Sequence, residues 1–474
     1  MVRASNAGAL ASIEQLAGEL GGRTVRRLPL GQSLALDVPD DALPALATNP
    51  LVDRVSTDRP IAGAMERTGA TIGATYVRQT LGYDGEGIGV ATIDSGVTPW
   101  HDDLADDDAH QRVTRFVDFV NGAAAAYDDY GHGTHVAGII AGNGYDSSGA
   151  RSGIAPAAKL IVLKVLDGTG NGHISDVIAA LDYAVQHRSE LNVRVINLSV
   201  AAGVYESYTT DPLTLAAKRA VDAGIVVIAA AGNGGRGPQG TPQYAGITSP
   251  GNAPWVLTVG ASSHMGTVDR SDDTMAAFSS RGPGAIDYRA KPDLVAPGVG
   301  IESLSNPSSL MYAIDGAYLL NGTVPTSYLP YLSLTGTSMA APVVTGTVAL
   351  MLQANHALTP NAVKAILEYT AQTYPGYDVL TQGAGFLNAR GAVELAAYLA
   401  NPSRPYPSAD GWSMRIIWGN HSTGGGRLTA NASAWSTAVT WGDGLAPDGH
   451  AITWGVQCGV LGCATVTTDR KSVV

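Results

Sequence analysis

The sequence predicts an α/β protein in three layers, with a parallel β-sheet between two layers of helices. The first observation is a series of five short segments that are almost wholly apolar and show no alternation with polar residues. The second is that helical patterns separate several of these segments. Strands without alternation are buried on both faces, and intervening helices are the connections that parallel strands require.

The elements follow from these two patterns. The predicted strands are 88–93, 160–165, 193–198, 225–231 and 255–259. The predicted helices are 134–141, 174–187, 210–223, 338–352, 360–370 and 389–399. The helix that begins near Ser338 is apolar all round, which is typical of a helix in the centre of a core.

Length and composition limit the function. A chain of 474 residues can form one large core with one or two small appendages. With 29 basic and 41 acidic residues the net charge is −12, which argues against a nucleic-acid partner. No apolar run approaches eighteen residues without Gly, Thr or Pro, so no membrane span is predicted. The two cysteines, Cys458 and Cys463, leave the main body without disulfides or thiolate metal sites.

Three regions are predicted. Residues 1–63 read as a small α+β unit in the order α-β-β-α-β, one strand short of a ferredoxin-like unit. Residues 64–400 hold the sheet and its helices. Residues 401–474 form a tail rich in Trp and Gly, with weak strand alternation.

Four polar residues stand at the ends of predicted elements. Asp94 follows one strand directly, and Asn233 lies just after another. His132 lies between two glycines at the head of a helix, and Ser338 begins the apolar helix. Functional groups of parallel sheets gather at the carboxyl ends of the strands. The set supplies a carboxylate, a base and a nucleophile, because a serine hydroxyl needs an imidazole to take its proton.

Each residue alone also has a structural interpretation. Ser338 could simply cap its helix, Asp94 could be a turn residue, and Asn233 could occupy a left-handed turn. His132 with His135 could suggest a metal site, but no HExxH pattern supports zinc. Finding all four together, each at the correct end of its element, favours the catalytic interpretation.

The motifs around these residues resemble those of subtilisin-like serine proteases, the subtilase family, of the bacterial type with an N-terminal propeptide. The matching stretches are VATIDSG around Asp94, HGTHVAG from His132, VINLS, AAAGN and GTSMAAP. An esterase elbow would need Gly where Ala340 stands. The related sedolisin group has Glu where this chain has His132.

The resemblance implies a role for each residue. Ser338 is the nucleophile, His132 the general acid and base, and Asp94 the carboxylate that orients the histidine. Asn233 donates its side-chain amide to the oxyanion. The predicted substrate-binding residues lie on two strand edges and in a roomy side-chain pocket: Thr169, Gly170, Ser199, Val200, Ala201, Ala230, Ala231 and Gly232.

Further expectations come from the same resemblance. Residues 1–63 would be an inhibitory propeptide that the enzyme cuts off between residues 55 and 68. No cofactor is needed for the chemistry, but the family binds structural calcium, and Asp103 is a weak candidate ligand with Asp146 as a companion. Residues 305–332 would form a rim over the primed side. The first ten residues are not a secretory signal, yet the resemblance implies a secreted protein, and we expect a monomer.

We therefore predict a secreted serine endopeptidase that forms an acyl-enzyme on Ser338, is made as a self-processing zymogen, and acts on proteins or peptides. One alternative is a catalytically silent binding protein on the same fold, with the tryptophan-rich tail as its working surface. Another is an esterase or amide hydrolase on the same fold.

Overall fold

A computed structural model describes residues 2–28, 32–55, 64–106, 108–237, 239–418, 421–425 and 427–428, and four short strands between residues 443 and 465. The chain divides into two compact units, Met1–Ala62 and Gly63–Val474.

The first unit is a four-stranded antiparallel sheet with two helices. Its elements in chain order are β1 (Val2–Ala4), α1 (Leu10–Glu19), β2 (Arg23–Leu28), β3 (Ser33–Asp37), α2 (Leu43–Thr48) and β4 (Val52–Val55). The strand order across the sheet is β2-β3-β1-β4. The expectation of a missing first strand was wrong, because β1 supplies it. Three residues with an exposed Arg3 in the middle are too short a run to show alternation.

The second unit is organised on a large sheet that is parallel except at one edge. Its strands are β5 (Gly89–Asp94), β6 (Val113–Asp118), β7 (Lys159–Lys164), β8 (Val193–Leu198), β9 (Val226–Ala230), β10 (Leu257–Ser263), β11 (Thr274–Met275) and β12 (Leu294–Pro297). The order is β11-β10-β9-β8-β5-β7-β6, with β12 also paired to β10. Only the short β11 runs antiparallel to its neighbour.

The helices of this unit cover both faces of the sheet. They are α3 (Ala64–Thr71), α4 (Ala74–Tyr76), α5 (His132–Ala141), α6 (Ile174–Gln186), α7 (Pro212–Asp222), α8 (Leu310–Ile314), α9 (Thr337–Ala354), α10 (Pro360–Thr370), α11 (Val379–Gln382) and α12 (Ala389–Ala400). Side chains alternate along β5, so Val90 packs in the core that contains α5, α9 and α10, while Ala91 packs in the core that contains α6 and α7. The predicted three-layer α/β architecture is confirmed.

Helix α9 lies in the centre of the larger core. Among the described helices it alone is long and apolar enough to cross a membrane, but 83% of its residues are buried inside the protein. Gly346 allows this close packing, because a Cβ atom there would stand 2.5 Å from the Cβ of Ile154. The hydropathy of α9 therefore reflects a core position.

Two smaller regions complete the unit. Strands β13 (Ile301–Leu304), β14 (Leu319–Leu320) and β15 (Tyr331–Leu334) form an antiparallel sheet around the predicted insertion. Three two-stranded ladders follow: β16 (Arg415–Trp418) with β17 (His421–Gly424), β18 (Asp443–Leu445) with β19 (Ala451–Thr453), and β20 (Val456–Gly459) with β21 (Gly462–Thr465).

The packed core continues beyond residue 400, where the sequence pattern suggested a separate tail. The ring of Trp412 packs edge-on against Tyr369 of α10, with ring centroids 5.9 Å apart. Ile416 and Ile417 are buried. The predicted tail residues Trp435, Trp441 and Trp454 lie outside the described residues.

Candidate active site

The predicted catalytic residues come from neighbouring elements of the large sheet. Asp94 is the last residue of β5, Ser199 follows β8, and Asn233 lies three residues after β9. These three strands are adjacent and parallel, so their carboxyl ends meet at one rim. The polar residues are therefore concentrated where ligands bind in open α/β sheets.

Asp94 and His132 form a buried hydrogen-bonded pair. The His132 Nδ1 atom lies 2.8 Å from Asp94 Oδ1, which also accepts the amide of Ser95 at 2.7 Å. Burial lowers the pKa of His132, but the charge and the hydrogen bond of Asp94 raise it, and the net pKa lies above the ordinary value. The carboxylate thus fixes the ring through Nδ1 and stabilises its protonated form.

A second buried carboxylate, Asp128, holds the start of α5. Its Oδ1 accepts the amide of Gly131 and the hydroxyl of Ser95, at 2.7 and 2.8 Å. Its Oδ2 accepts the amide and the hydroxyl of Thr134. The hydroxyl of Ser95 in turn accepts the amide of Gly133 at 2.8 Å. The end of β5 and the first turn of α5 are thereby joined.

Sequence reasoning missed Asp128. Its signal was present, because an aspartate just before the first turn of a helix commonly accepts the free amides there. The glycine at 131 is required for two reasons: its φ is +101°, and a Cβ there would lie 2.5 Å from the Oγ of Ser309.

His135, one turn further along α5, does not share the role of His132. Its Nε2 atom faces the carbonyl oxygens of Leu332 and Ile301, at 2.9 and 3.2 Å. Burial, followed by the neighbouring charge of His132, lowers the pKa of His135 to about 3. The ring is a neutral donor in the core, so the two histidines do not form a metal pair.

Ser338 is the second residue of α9 and is linked to the end of β8. Its hydroxyl donates to the carbonyl oxygen of Ser199 at 3.1 Å, and the hydroxyl of Ser199 donates to the carbonyl oxygen of Ser338 at 2.9 Å. Among the described residues the Ser338 hydroxyl has this one hydrogen bond, so it is not bonded to His132. The structure therefore joins Asp94 to His132 but leaves Ser338 directed at Ser199.

Asn233 is oriented by the residue before Ser338. Its Oδ1 accepts both the amide and the hydroxyl of Thr337 at 3.0 Å. The Thr337 hydroxyl also accepts the amide of Gly232 at 3.2 Å. The Asn233 Nδ2 atom has no hydrogen-bond partner among the described residues and lies 3.6 Å from the position of a Cβ on Gly336. The amide donors of Asn233 are therefore free beside the start of α9.

A groove of about 360 Å³ runs beside His132. Four of the predicted substrate-binding residues line it: Gly170, Ser199, Val200 and Ala201. Thr169, Ala230, Ala231 and Gly232 are not among the lining residues, and the two alanines are buried. Sequence reasoning missed the lining residue Tyr130, whose ring centroid lies 6.2 Å from that of His132, with an angle of 27° between the ring planes.

The weak metal candidate Asp103 lies with His101 and Asp146, all three buried. Within the described part of the chain this is the only group of three or more His, Cys, Asp or Glu side chains whose possible ligand atoms lie that close together. Calcium prefers six to eight oxygen ligands. The backbone carbonyl oxygens of Asp103 and Asp146 already accept hydrogen bonds from backbone amides or from a guanidinium group. One of the three possible ligands is the imidazole of His101, which offers nitrogen and no oxygen. The described residues therefore do not fit a calcium cage.

Comparisons with known proteins identify the family. The subtilase family model matches residues 85–392. The chain is 38% identical to serine protease AprX of Bacillus subtilis (strain 168) over 331 residues, 69% of this chain and 70% of that protein. It is 32% identical to subtilisin E of the same strain over 381 residues, 79% of this chain and 84% of that protein.

Among solved structures, the Clostridium perfringens CspB protease aligns with a TM-score of 0.58 at 18% identity, covering 69% of this chain and 98% of that one. This likeness concerns the fold. The family match and the sequence relatives carry the assignment, and by them the chain belongs to the subtilase family and is a serine endopeptidase.

Proposed function

We propose that the chain cleaves peptide bonds through an acyl-enzyme on Ser338, with His132 as general acid and base and Asp94 as the orienting carboxylate. The observation that carries the proposal is the 2.8 Å bond between Asp94 and His132 Nδ1. A carboxylate on Nδ1 leaves Nε2 as the basic nitrogen, which is the atom that must take the serine proton.

Attack requires the Ser338 hydroxyl to move. The Ser338 hydroxyl leaves the carbonyl of Ser199 and turns about its χ1 bond toward His132. A rotamer change of a serine is fast, and the hydrogen bond that it gives up is worth about 1 kcal/mol. A substrate carbonyl in the groove would favour the turned rotamer, because attack on that carbonyl forms a new bond in place of the hydrogen bond to Ser199.

The oxyanion would be held by the start of α9 and by Asn233. The amide of Ser338 lies in the first turn, where backbone N–H groups are unpaired and the helix dipole favours negative charge. Thr337 holds the Asn233 carboxamide by its oxygen, so the nitrogen presents its hydrogens without cost in orientation.

The substrate would lie along the groove as an extended strand. Gly170 and residues 199–201 line it from the two predicted edges. Main-chain pairing of this kind is largely independent of sequence. Val200, Ala230, Ala231 and Gly232 stay the predicted walls of the side-chain pocket.

Residues 305–332 stay the predicted rim of the primed side. The amides of Leu310 and Met311 donate to the carbonyls of Asp129 and Tyr130, directly before His132, which supports this assignment.

We also propose that the chain is a zymogen whose first unit is a ferredoxin-like propeptide and intramolecular inhibitor. Its β-α-β-β-α-β order and its separate core support the proposal. Processing is expected between residues 55 and 68, followed by action as a secreted monomer on protein or peptide substrates.

The test compares Ser338→Ala with the matched control Ser189→Ala, an exposed serine away from the groove lining. Wild type and Ser189→Ala are expected to lose their first 55 to 68 residues and to react with a fluorophosphonate probe. Ser338→Ala is expected to stay intact and unlabelled, with the same far-ultraviolet circular dichroism. Intact-mass spectrometry gives the processing site. Normal self-cleavage or labelling of Ser338→Ala would refute the assignment.

A further inference from the structure

The insertion, residues 305–332, packs directly against the backbone that precedes His132. A Cβ atom on Gly131 would lie 2.5 Å from the Oγ and 2.9 Å from the Cβ of Ser309, and 3.4 Å from the Cβ of Met311. Ser309 is buried in this interface, with 5% of its surface exposed. The insertion therefore leaves no room for a side chain at the residue directly before His132.

Three successive carbonyl oxygens just before His132 accept hydrogen bonds from the insertion. The pairs are Asn306 Nδ2 with Asp128, the Leu310 amide with Asp129, and the Met311 amide with Tyr130, at 2.6, 2.9 and 3.0 Å. Helix α5 does not supply these bonds itself, because the first carbonyl that it uses is that of its N-cap residue, Gly131. The insertion thus fixes the chain that leads into His132.

The insertion has internal hydrogen bonds that hold these donors in place. The Oδ1 atom of Asn306 accepts the amide of Ser308 at 3.0 Å, and its carbonyl oxygen accepts the hydroxyl of Ser309 at 2.7 Å. The Ser309 hydroxyl also accepts the amide of Tyr312 in the first turn of α8. The hydroxyl of Tyr312 accepts the amide of Leu329 at 3.0 Å. The start of the insertion is therefore tied to its end.

The same segment continues into the helix that carries Ser338. The insertion ends in β15, and only Thr335 and Gly336 separate that strand from α9. Strand β15 pairs antiparallel with β13, the strand that leads into the insertion. One continuous stretch of chain thus contacts the backbone before His132 and positions the start of α9.

The proposed reaction depends on the distance between His132 and Ser338. The Ser338 hydroxyl must come within hydrogen-bond reach of the His132 ring, and a misplacement of about 1 Å can cost about 100-fold in rate. Among the described residues, the carboxylates of Asp94 and Asp128 bond within residues 94–95 and 128–134. These carboxylates orient the ring but do not tie it to the chain that carries Ser338.

We propose that Asn306, through its side chain, and Leu310 and Met311, through their amides, hold His132 at the distance from Ser338 that the reaction requires. The inference rests on the proposed roles of those two residues. Asn306 is buried and is not among the residues that line the groove. It is therefore a positioning residue, which acts through the backbone of residues 128–130.

The first test removes one backbone donor and keeps the fold of α8. Leu310 is the first residue of α8, a position that accepts proline, and Ser309 before it has φ −100° and ψ 158°, which suit a residue before proline. Leu310→Pro deletes the amide that donates to Asp129. Leu310→Ala keeps that amide and is the matched control.

Leu310→Pro is expected to lower kcat about tenfold or more relative to Leu310→Ala, with little change in KM, because the ring is misplaced for proton transfer while the groove is intact. Turnover of a peptide substrate is measured in the full chain. It is divided by the number of sites that a fluorophosphonate probe labels at completion, so that unfolded protein does not count.

The second test concerns the carbonyl of Asp128. Asn306→Ala removes its donor, and Asn401→Ala, an exposed asparagine away from the groove lining, is the control. Burial lowers the pKa of His132, while Asp94 and Asp128 raise it. Nuclear magnetic resonance of the histidine-labelled Ser338→Ala chain is expected to show a lower His132 midpoint in Asn306→Ala than in Asn401→Ala, since a displaced ring loses part of its bond to Asp94.

Three results would overturn the inference: equal kcat in the two Leu310 variants, a rise in KM alone, or equal His132 midpoints in the two asparagine variants. A merely structural role would lower the melting temperature and leave kcat per labelled site and the midpoint unchanged. The midpoint needs no activity, so it decides the matter if Leu310→Pro does not fold. A parent chain that does not label at Ser338 would instead contradict the proposed function, whatever these variants do.

Discussion

Two buried carboxylates in the second unit, Asp94 and Asp293, have opposite surroundings. Asp293 Oδ1 pairs with Lys364 at 3.0 Å, and its Oδ2 pairs with Lys291 at 2.9 Å and accepts the amide of Thr258 at 2.7 Å. Asp94 Oδ1 has His132 and one amide, while Asp94 Oδ2 has no partner among the described residues. Burial is the same in both, so the partners make the difference.

The partners of Asp293 give it a structural role, whereas the partner of Asp94 is the proposed catalytic histidine. The two lysines around Asp293 also donate to the backbone carbonyls of Val256 and Pro254, so the cluster is hydrogen-bonded to the segment just before β10. Burial lowers the pKa of Lys291 to about 7 even beside Asp293. The partner of Asp94 is a single imidazole, the side chain that exchanges a proton in the proposed reaction. Both carboxylate oxygens of Asp293 thus have partners, whereas Asp94 Oδ2 has none among the described residues.

The largest expected effect is a loss of activity, without a loss of stability, on substitution of Asp94. Asp94→Asn is expected to lower kcat about 10⁴-fold, because an amide no longer stabilises the protonated ring or its correct tautomer. The melting temperature should change little, since the side chain keeps its size. Turnover of a peptide substrate and a thermal melt measure the two quantities. The partly exposed carboxylate of Asp182, which pairs with Arg219, is the control. An Asp94→Asn enzyme as active as Asp182→Asn would contradict the role of Asp94.

The reciprocal change at Asp293 is expected to act on stability alone. Asp293→Asn in the Ser338→Ala background should lower the melting temperature by about 3–6 °C, because losing one member of a buried ion cluster costs about 3–5 kcal/mol. In the active chain, turnover per folded molecule should be unchanged. The matched control is Asp222→Asn, which breaks an exposed pair with Lys218 and should cost under about 1 kcal/mol. Equal melting temperatures for the two variants would show that the cluster is not structural.

The smallest effect concerns the pH response of two histidines in α5. The raised pKa of His132 gives stability that is complete below the unfolded pKa and is lost as pH rises through the folded pKa. His135, with its pKa near 3, has the opposite sign: it destabilises the fold as pH falls from the unfolded value toward 3. Because His132 must be neutral to act as a base, kcat/KM should fall as pH drops through its pKa.

Nuclear magnetic resonance of histidine-labelled Ser338→Ala chain checks both signs. The His132 signal should titrate above the ordinary histidine midpoint, and the His135 signal should not titrate above about pH 4. Substituting Asn for Asp94 should lower the His132 midpoint, while the His135 signal should still not titrate above about pH 4, because burial is the main cause of its low pKa. A His132 midpoint below the ordinary value would mean that burial outweighs Asp94.

Elements with strong local signals were predicted well. Strand β8 has the predicted bounds because four of its six residues are apolar and polar residues lie on both sides of it. Helix α10 also has the predicted bounds, since Thr359 caps it and Pro360 occupies its first position. Strands β1 and β6 were missed. Three residues carry no period, and β6 includes Arg115 and is only half-buried, so neither shows the continuous apolar run of a central strand.

The site was predicted in part for similar reasons. Asp94, His132 and Ser338 stand at the ends of strands or helices, and such ends can be recognised from the neighbouring residues in the sequence. Asp128 was overlooked although its position before α5 was visible. The bonds from Ser338 to Ser199 and from Asn306 to Asp128 had no local signal, because each depends on partners far away in the chain.

The sequence by itself determined the class of fold, five of the eight strands of the main sheet, and the strand or helix end at which Asp94, His132 and Ser338 stand. Only the tertiary structure decided which of these groups meet: His132 with Asp94, Asp293 with two lysines, and His101 with two carboxylates. The physical reason is that apolar periodicity and capping act over a few residues. A hydrogen bond or an ion pair requires distances and directions that are set by the packing of segments many residues apart.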